Sequence, residues 1–77
     1  MEVTFKNNLL YWRQKLGYKF AKKFAKDMDI KYVSYIQWEN NKTPISLESL
    51  IKIWQFIKLK YPETKLEDLL IILEVED

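Results

Sequence analysis

At 77 residues, with 13 Lys/Arg, 11 Asp/Glu and a formal net charge of +2, the chain has room for one small domain whose core supplies little net stability on its own. Cysteine and histidine are absent, which excludes disulfides, thiolate chemistry, the usual zinc sites and histidine acid–base work. Apolar residues at 48%, 16% aromatic, exclude a disordered chain, and one glycine and two prolines among many Leu, Ile, Lys and Glu favour helices over strands.

The opening MEVTFKNN has no basic segment followed by an apolar run, and no stretch reaches the roughly 18 apolar residues of a membrane span. A cytoplasmic protein with no membrane segment is expected, a single domain over 1–77. The charge is unevenly spread: residues 1–60 carry 12 Lys/Arg against 5 Asp/Glu, and residues 61–77 carry 1 against 6. A cationic body with an acidic tail suits a polyanionic partner on one side, although on charge alone a solvated lysine-rich surface is the better explanation.

Five helices are expected. The first runs from about Phe5 to Leu16, with Thr4 as N-cap, Leu9, Leu10, Trp12, Arg13 and Leu16 facing inward, and Gly17 as the left-handed stop. The second spans about Ala21 to Asp27 and the third about Lys31 to Asn40, with Asp tolerated in the left-handed turn between them. Asn40 to Pro44 form a loop, and Ser46 caps a fourth helix from about Leu47 to Lys60 with Leu47, Leu50, Ile51, Trp54 and Ile57 on one side. Thr64 and Glu67 have the spacing of a capping box for a fifth helix, about Lys65 to Leu73. Its apolar residues exceed what one face can bury, so either a dimer partner meets Leu66, Leu69, Leu70, Ile72 and Leu73 or the helix packs on helices one and four.

Within Ala21 to Trp38, the apolar residues Phe24, Ala25 and Met28 share one helical face, and Tyr35 and Trp38 repeat three apart after a polar break. Two short helices joined by a tight turn at about residues 21–40 make a helix-turn-helix unit. Phe24-Ala25, Ile30, Tyr35, Trp38-Glu39-Asn40 and Thr43-Pro44 together resemble the helix-turn-helix family of phage Cro and lambda-type repressors and the xenobiotic-response-element-like regulators, from about Leu9 to Leu70. The resemblance implies an all-α, lambda-repressor-like DNA-binding domain whose third helix enters the major groove.

By that resemblance, Arg13 and Glu39 form a buried structural ion pair tying helix one to the end of helix three. The implied base readers are Tyr32, Val33, Ile36, Gln37 and Asn40. The amides of Gln37 and Asn40 can pair with adenine and the apolar side chains can meet thymine methyls, so an AT-rich duplex operator is expected. Phosphate contacts are expected from Lys22, Lys23, Lys26, Lys31, Asn41, Lys42 and Thr43, with helix-start amides adding to them. The corresponding function is a small phage- or mobile-element-type transcriptional regulator, a repressor acting as a two-fold dimer.

The chain departs from the family at the start of helix two, where Phe20 and Ala21 stand in place of a Ser/Thr cap and a Gln. Helix three has no arginine and presents Tyr32, Val33 and Ile36, a trio suited to docking on a protein. The alternative is therefore an adaptor of the same fold, an anti-repressor or antitoxin type, with a protein partner. No catalytic residue, metal or cofactor is expected: Glu67-Asp68 suits a helix's opening turn, and Glu74, Glu76 and Asp77 form a terminal cluster.

Overall fold

Three helices of this chain end in the same way. The residues after the caps of helices α1 (Leu9–Lys15), α2 (Ala21–Asp27) and α3 (Tyr32–Glu39) are Gly17, Asp29 and Asn41, with φ of 90°, 57° and 56°. In each, two backbone N–H groups turn back onto helical carbonyls: Gly17 onto Gln14 and Tyr18 onto Arg13, Asp29 onto Lys26 and Ile30 onto Ala25, Asn41 onto Trp38 and Lys42 onto Gln37, all at 2.9–3.0 Å. This is the Schellman arrangement, which satisfies carbonyls the helix leaves open and needs a left-handed residue at its centre. Glycine enters that conformation freely, and Asp and Asn more easily than other L-residues.

The computed structural model describes residues 2–75, with side chains over 5–72. Its element order is β1 (Glu2–Asn7), α1, α2, α3, α4 (Leu47–Lys58), a 3-10 turn at Leu66–Leu69 and β2 (Leu70–Val75). The two strands form one antiparallel ribbon in which Phe5 faces Ile72, Lys6 faces Ile71 and Asn7 faces Leu70.

Both ends of the chain therefore depart from the all-α, five-helix expectation. Residues 2–7 form a strand, so Thr4 lies inside β1 and α1 begins only after Asn8. At the other end Leu70–Val75 is a strand, and the helix stops at one 3-10 turn. A run of consecutive apolar residues has no helical periodicity, and Val, Ile and aromatic residues pack well on a pleated surface, so the two terminal segments pair. Thr64 does not cap the turn; Lys65 is the N-cap residue, and its N–H donates to the Asp68 carboxylate at 2.9 Å.

The core lies between the helices and the 3-10 turn, built from Leu9, Trp12, Phe24, Tyr35, Ile53, Ile57 and Leu69 among others. Phe24 is its hub, with ring centroids 4.9 Å from Tyr18, 5.4 Å edge-on from Tyr35 and 5.9 Å from Phe56. One side chain thus joins α2 to α3, α4 and the segment before it, and its truncation to Ala costs about 3–5 kcal/mol. Ser46 caps α4, accepting the Ser49 N–H at 3.2 Å. The buried stripe of α4 is Leu50, Ile53 and Ile57, rotated from the expected one, and Leu47 stays 64% exposed. Leu10, expected inward on α1, is also exposed.

Leu69 is fully buried within its own chain, while Leu66 and Leu70 are packed half-buried against the core. The carbonyl of Asp68 accepts both Asn8 Nδ2 at 2.9 Å and Trp12 Nε1 at 3.0 Å, which holds the turn on α1. The expected dimer surface on a fifth helix is thus replaced: Leu69 belongs to the core, Ile72 is exposed on β2, and the Leu73 side chain lies outside the described ones.

Candidate nucleic-acid interface

α3 is held by its inner side. Tyr35 is fully buried and Glu39 nearly so, one turn apart, and the Tyr35 hydroxyl donates to Glu39 Oε1 at 3.0 Å. The structure brings Arg13 to the same carboxylate, with Nε 2.6 Å from Oε1 and Nη2 3.5 Å from Oε2. Its Nη1 donates to the carbonyls of Tyr18 at 3.2 Å and Lys19 at 2.8 Å. The guanidinium thus joins α1, the α1–α2 connection and the end of α3, and its donors are met as burial of a charge requires. Burial, and then the Glu39 charge and hydrogen bond, push the Tyr35 hydroxyl well above the usual tyrosine range, so it stays a neutral donor.

With that side anchored, the opposite flank faces out. Val33 is 67% exposed and Tyr32 42%, and Gln37 and Asn40 are also exposed. Ile36 departs from this pattern: it is half-buried and packs against the core, so only part of its side chain is open. Four of the five expected readers therefore share an accessible flank.

α2 packs on α3 with Phe24 against Tyr35, and residues 28–31 join the two helices, the Asp29 carbonyl accepting Lys52 Nζ of α4 at 3.1 Å. Lys22, Lys23, Lys26 and Lys31 are exposed around this connection. Lys23 sits 3.6 Å from Asp27, whose carboxylate also accepts the Tyr18 hydroxyl at 2.7 Å.

Beyond the C-terminal end of α3, Lys42 and Thr43 are exposed and line a groove of about 440 Å³ with Phe5, Lys6, Pro44 and Ile45. Asn41, expected at a phosphate, has its side-chain amide on the backbone of Asn7 instead. Lys6 lines the same groove as Lys42, a position that nothing in its sequence context, within the segment expected as helix one, points to.

The arrangement is a helix anchored by Tyr35 and Glu39, with one polar and apolar flank outward and exposed lysines before and after it. It offers an adenine-compatible amide, apolar contacts and cations that neutralise phosphates without direction. No protein-family model matches the chain, and neither a curated protein nor a solved structure matches it.

Proposed function

We propose that the chain is a small DNA-binding transcriptional regulator whose α2 and α3 act as a helix-turn-helix, α3 entering the major groove of an AT-rich duplex. The observation that carries this reading is the division of α3: Tyr35 and Glu39 buried, Tyr32, Val33, Gln37 and Asn40 exposed. A reading helix must be fixed from behind and free in front, and the Arg13–Glu39 pair supplies the fixing. The resemblance to Cro and lambda-type repressors supports a phage- or mobile-element-type repressor working in the cytoplasm without catalysis. A two-fold dimer would read half-sites about one helical turn apart. Phe5 and Ile72, cross-strand neighbours 57% and 61% exposed, support the ribbon as the dimer contact in place of a fifth helix.

Selection from a random duplex library tests the reading: an enriched, AT-rich, two-fold motif is expected, and an unenriched pool at low salt overturns it.

A second reading is an adaptor that binds a protein through the same flank. It is favoured by the exposure of Val33 and Tyr32 on a helix that has no arginine. Co-purification of a protein that Val33→Asp releases, with no duplex enriched, selects this reading.

A further inference from the structure

α2 has an outward face that runs on to the start of α3. Its inner side, Ala21, Phe24 and Ala25, is buried, whereas Lys22, Lys23 and Lys26 point outward and the N-cap residue is Phe20, 66% exposed. Phe20 is not part of the core, and the Lys19 ammonium lies 5.6 Å from its ring centroid.

Two grooves meet on this face. One of about 470 Å³ is lined by Phe20, Lys22, Lys23 and Lys26. The other, about 480 Å³, is lined by Lys22, Lys26, Asp29, Ile30, Lys31 and Tyr32. Lys22 and Lys26 border both, so the grooves form one track with an exposed aromatic ring at each end and cations between. Among the described residues, Lys22, Lys26 and Lys31 have no carboxylate partner in an ion pair. The Asp29 carboxylate lines the track at its Tyr32 end, and the Asp27 carboxylate stands beside the other end, 3.6 Å from Lys23.

We infer that this track binds an unpaired nucleic-acid strand, with phosphates on Lys22, Lys26 and Lys31 and a base stacked on Phe20. Lysines alone would suit any polyanion, but an exposed ring set among them matches a ligand that alternates phosphates with free aromatic faces. A duplex brings the phosphates without the free faces, since its bases already stack on one another. An acidic peptide brings carboxylates with no regular aromatic partner for the ring. The track shares Lys22, Lys26 and Lys31 with the expected duplex phosphate contacts and Tyr32 with the reading flank, whereas Phe20 lies outside that flank and is the residue that separates the two.

Fluorescence anisotropy of the full chain tests it, with labelled oligothymidylate and oligouridylate of about 16 nucleotides and a mixed-sequence duplex of equal length. Micromolar or tighter binding of an unpaired oligonucleotide at about 50 mM salt is expected, weakening steeply as salt rises; the more tightly bound of the two identifies the strand as DNA or RNA. Phe20→Ala should weaken that binding about 5- to 100-fold. Phe20→Leu, which keeps apolar bulk without a ring, should weaken it similarly, and Phe20→Trp should restore it, with the added indole emission quenched on saturation. Circular dichroism and a thermal melt establish that each variant is folded. The inference is overturned if neither oligonucleotide binds, if Phe20→Leu binds like the parent, if Phe20→Ala weakens duplex and unpaired strand equally, or if poly-L-glutamate of matched charge competes as well as the oligonucleotide.

Discussion

The side chain of Asn41 pairs with the backbone of Asn7 as a strand would: Oδ1 accepts the Asn7 N–H at 3.0 Å and Nδ2 donates to the Asn7 carbonyl at 3.4 Å. Asn7 continues the link, donating from Nδ2 to the Trp38 carbonyl at 2.6 Å and accepting the Leu9 N–H on Oδ1 at 3.2 Å. Two asparagines thus tie the end of β1 to the end of α3 and the start of α1. Position 41 must be left-handed for the Schellman turn, and asparagine meets that need while its amide remains available for Asn7.

Glycine substitutions at the two left-handed non-glycine positions should therefore have opposite signs. Asp29→Gly relieves the backbone and keeps the carbonyl that Lys52 reaches, so stability should be unchanged or rise by up to about 1 kcal/mol. Asn41→Gly relieves the same strain but leaves buried backbone groups of Asn7 unmet, and should cost about 1–3 kcal/mol. Urea unfolding of both variants measures the difference, and the reverse ranking would show that strain at these positions outweighs the Asn7–Asn41 pairing.

The Arg13–Glu39 pair predicts a non-additive result. Arg13→Met strands a buried carboxylate that also holds the Tyr35 hydroxyl, and should cost about 3–5 kcal/mol. Adding Glu39→Leu removes the stranded charge, so the double variant should be more stable than Arg13→Met alone. A double-mutant cycle by chemical denaturation reads the coupling. If the two losses simply add, the pair is not energetically coupled.

Stability should fall at both ends of the pH range for identifiable reasons. The hydrogen bond from Tyr18 is the largest influence on the Asp27 carboxyl and, with the smaller effect of the Lys23 charge, holds it below its usual range against the opposing effect of burial. A lowered carboxyl stabilises the fold above the ordinary aspartate pKa of about 3.9 and loses that contribution as pH falls through its folded value. Tyr18 and Tyr35 are both raised, Tyr35 far more. Their contributions are present below the ordinary tyrosine pKa of about 10 and decline as pH rises beyond it. Carbon-detected titration should show Asp27 returning toward its ordinary value in Tyr18→Phe, and the alkaline loss of stability should be shallower in Tyr35→Phe. An unmoved Asp27 titration would remove the Tyr18 bond as the cause.

How much of this was legible in the sequence divides sharply between the middle and the ends. Phe24, Ala25, Met28 and Tyr35 recur at helical intervals, and Gly17 and Asp29 are residues that accept a left-handed turn, so α2 and α3 emerge within a residue or two of their bounds. The ends depend on each other: Leu70–Val75 is apolar at nearly every position, and only a partner strand 63 or more residues away decides against a helix. Of the site, the outward positions of α3 follow from which residues must face in. The use of Asn41 for Asn7 does not, because it depends on where a strand ends that local pattern did not reveal.

The proposed reading of duplex DNA makes the sharpest distinction between residue types on one surface. Gln37 is exposed on the outward flank of α3, and its amide can donate and accept in the plane of an adenine edge. Gln37→Ala should cost about 1–3 kcal/mol on the selected sequence and little on random duplex. Lys42 stands beyond the end of the helix and in this reading meets phosphate, so Lys42→Ala should weaken both duplexes alike and reduce the log–log salt slope by about 0.9. Titrations of both variants on both duplexes across a salt series make the comparison. Equal losses on the two duplexes for Gln37→Ala would remove it as a base reader, and a sequence-dependent loss for Lys42→Ala would place that lysine at a base edge instead.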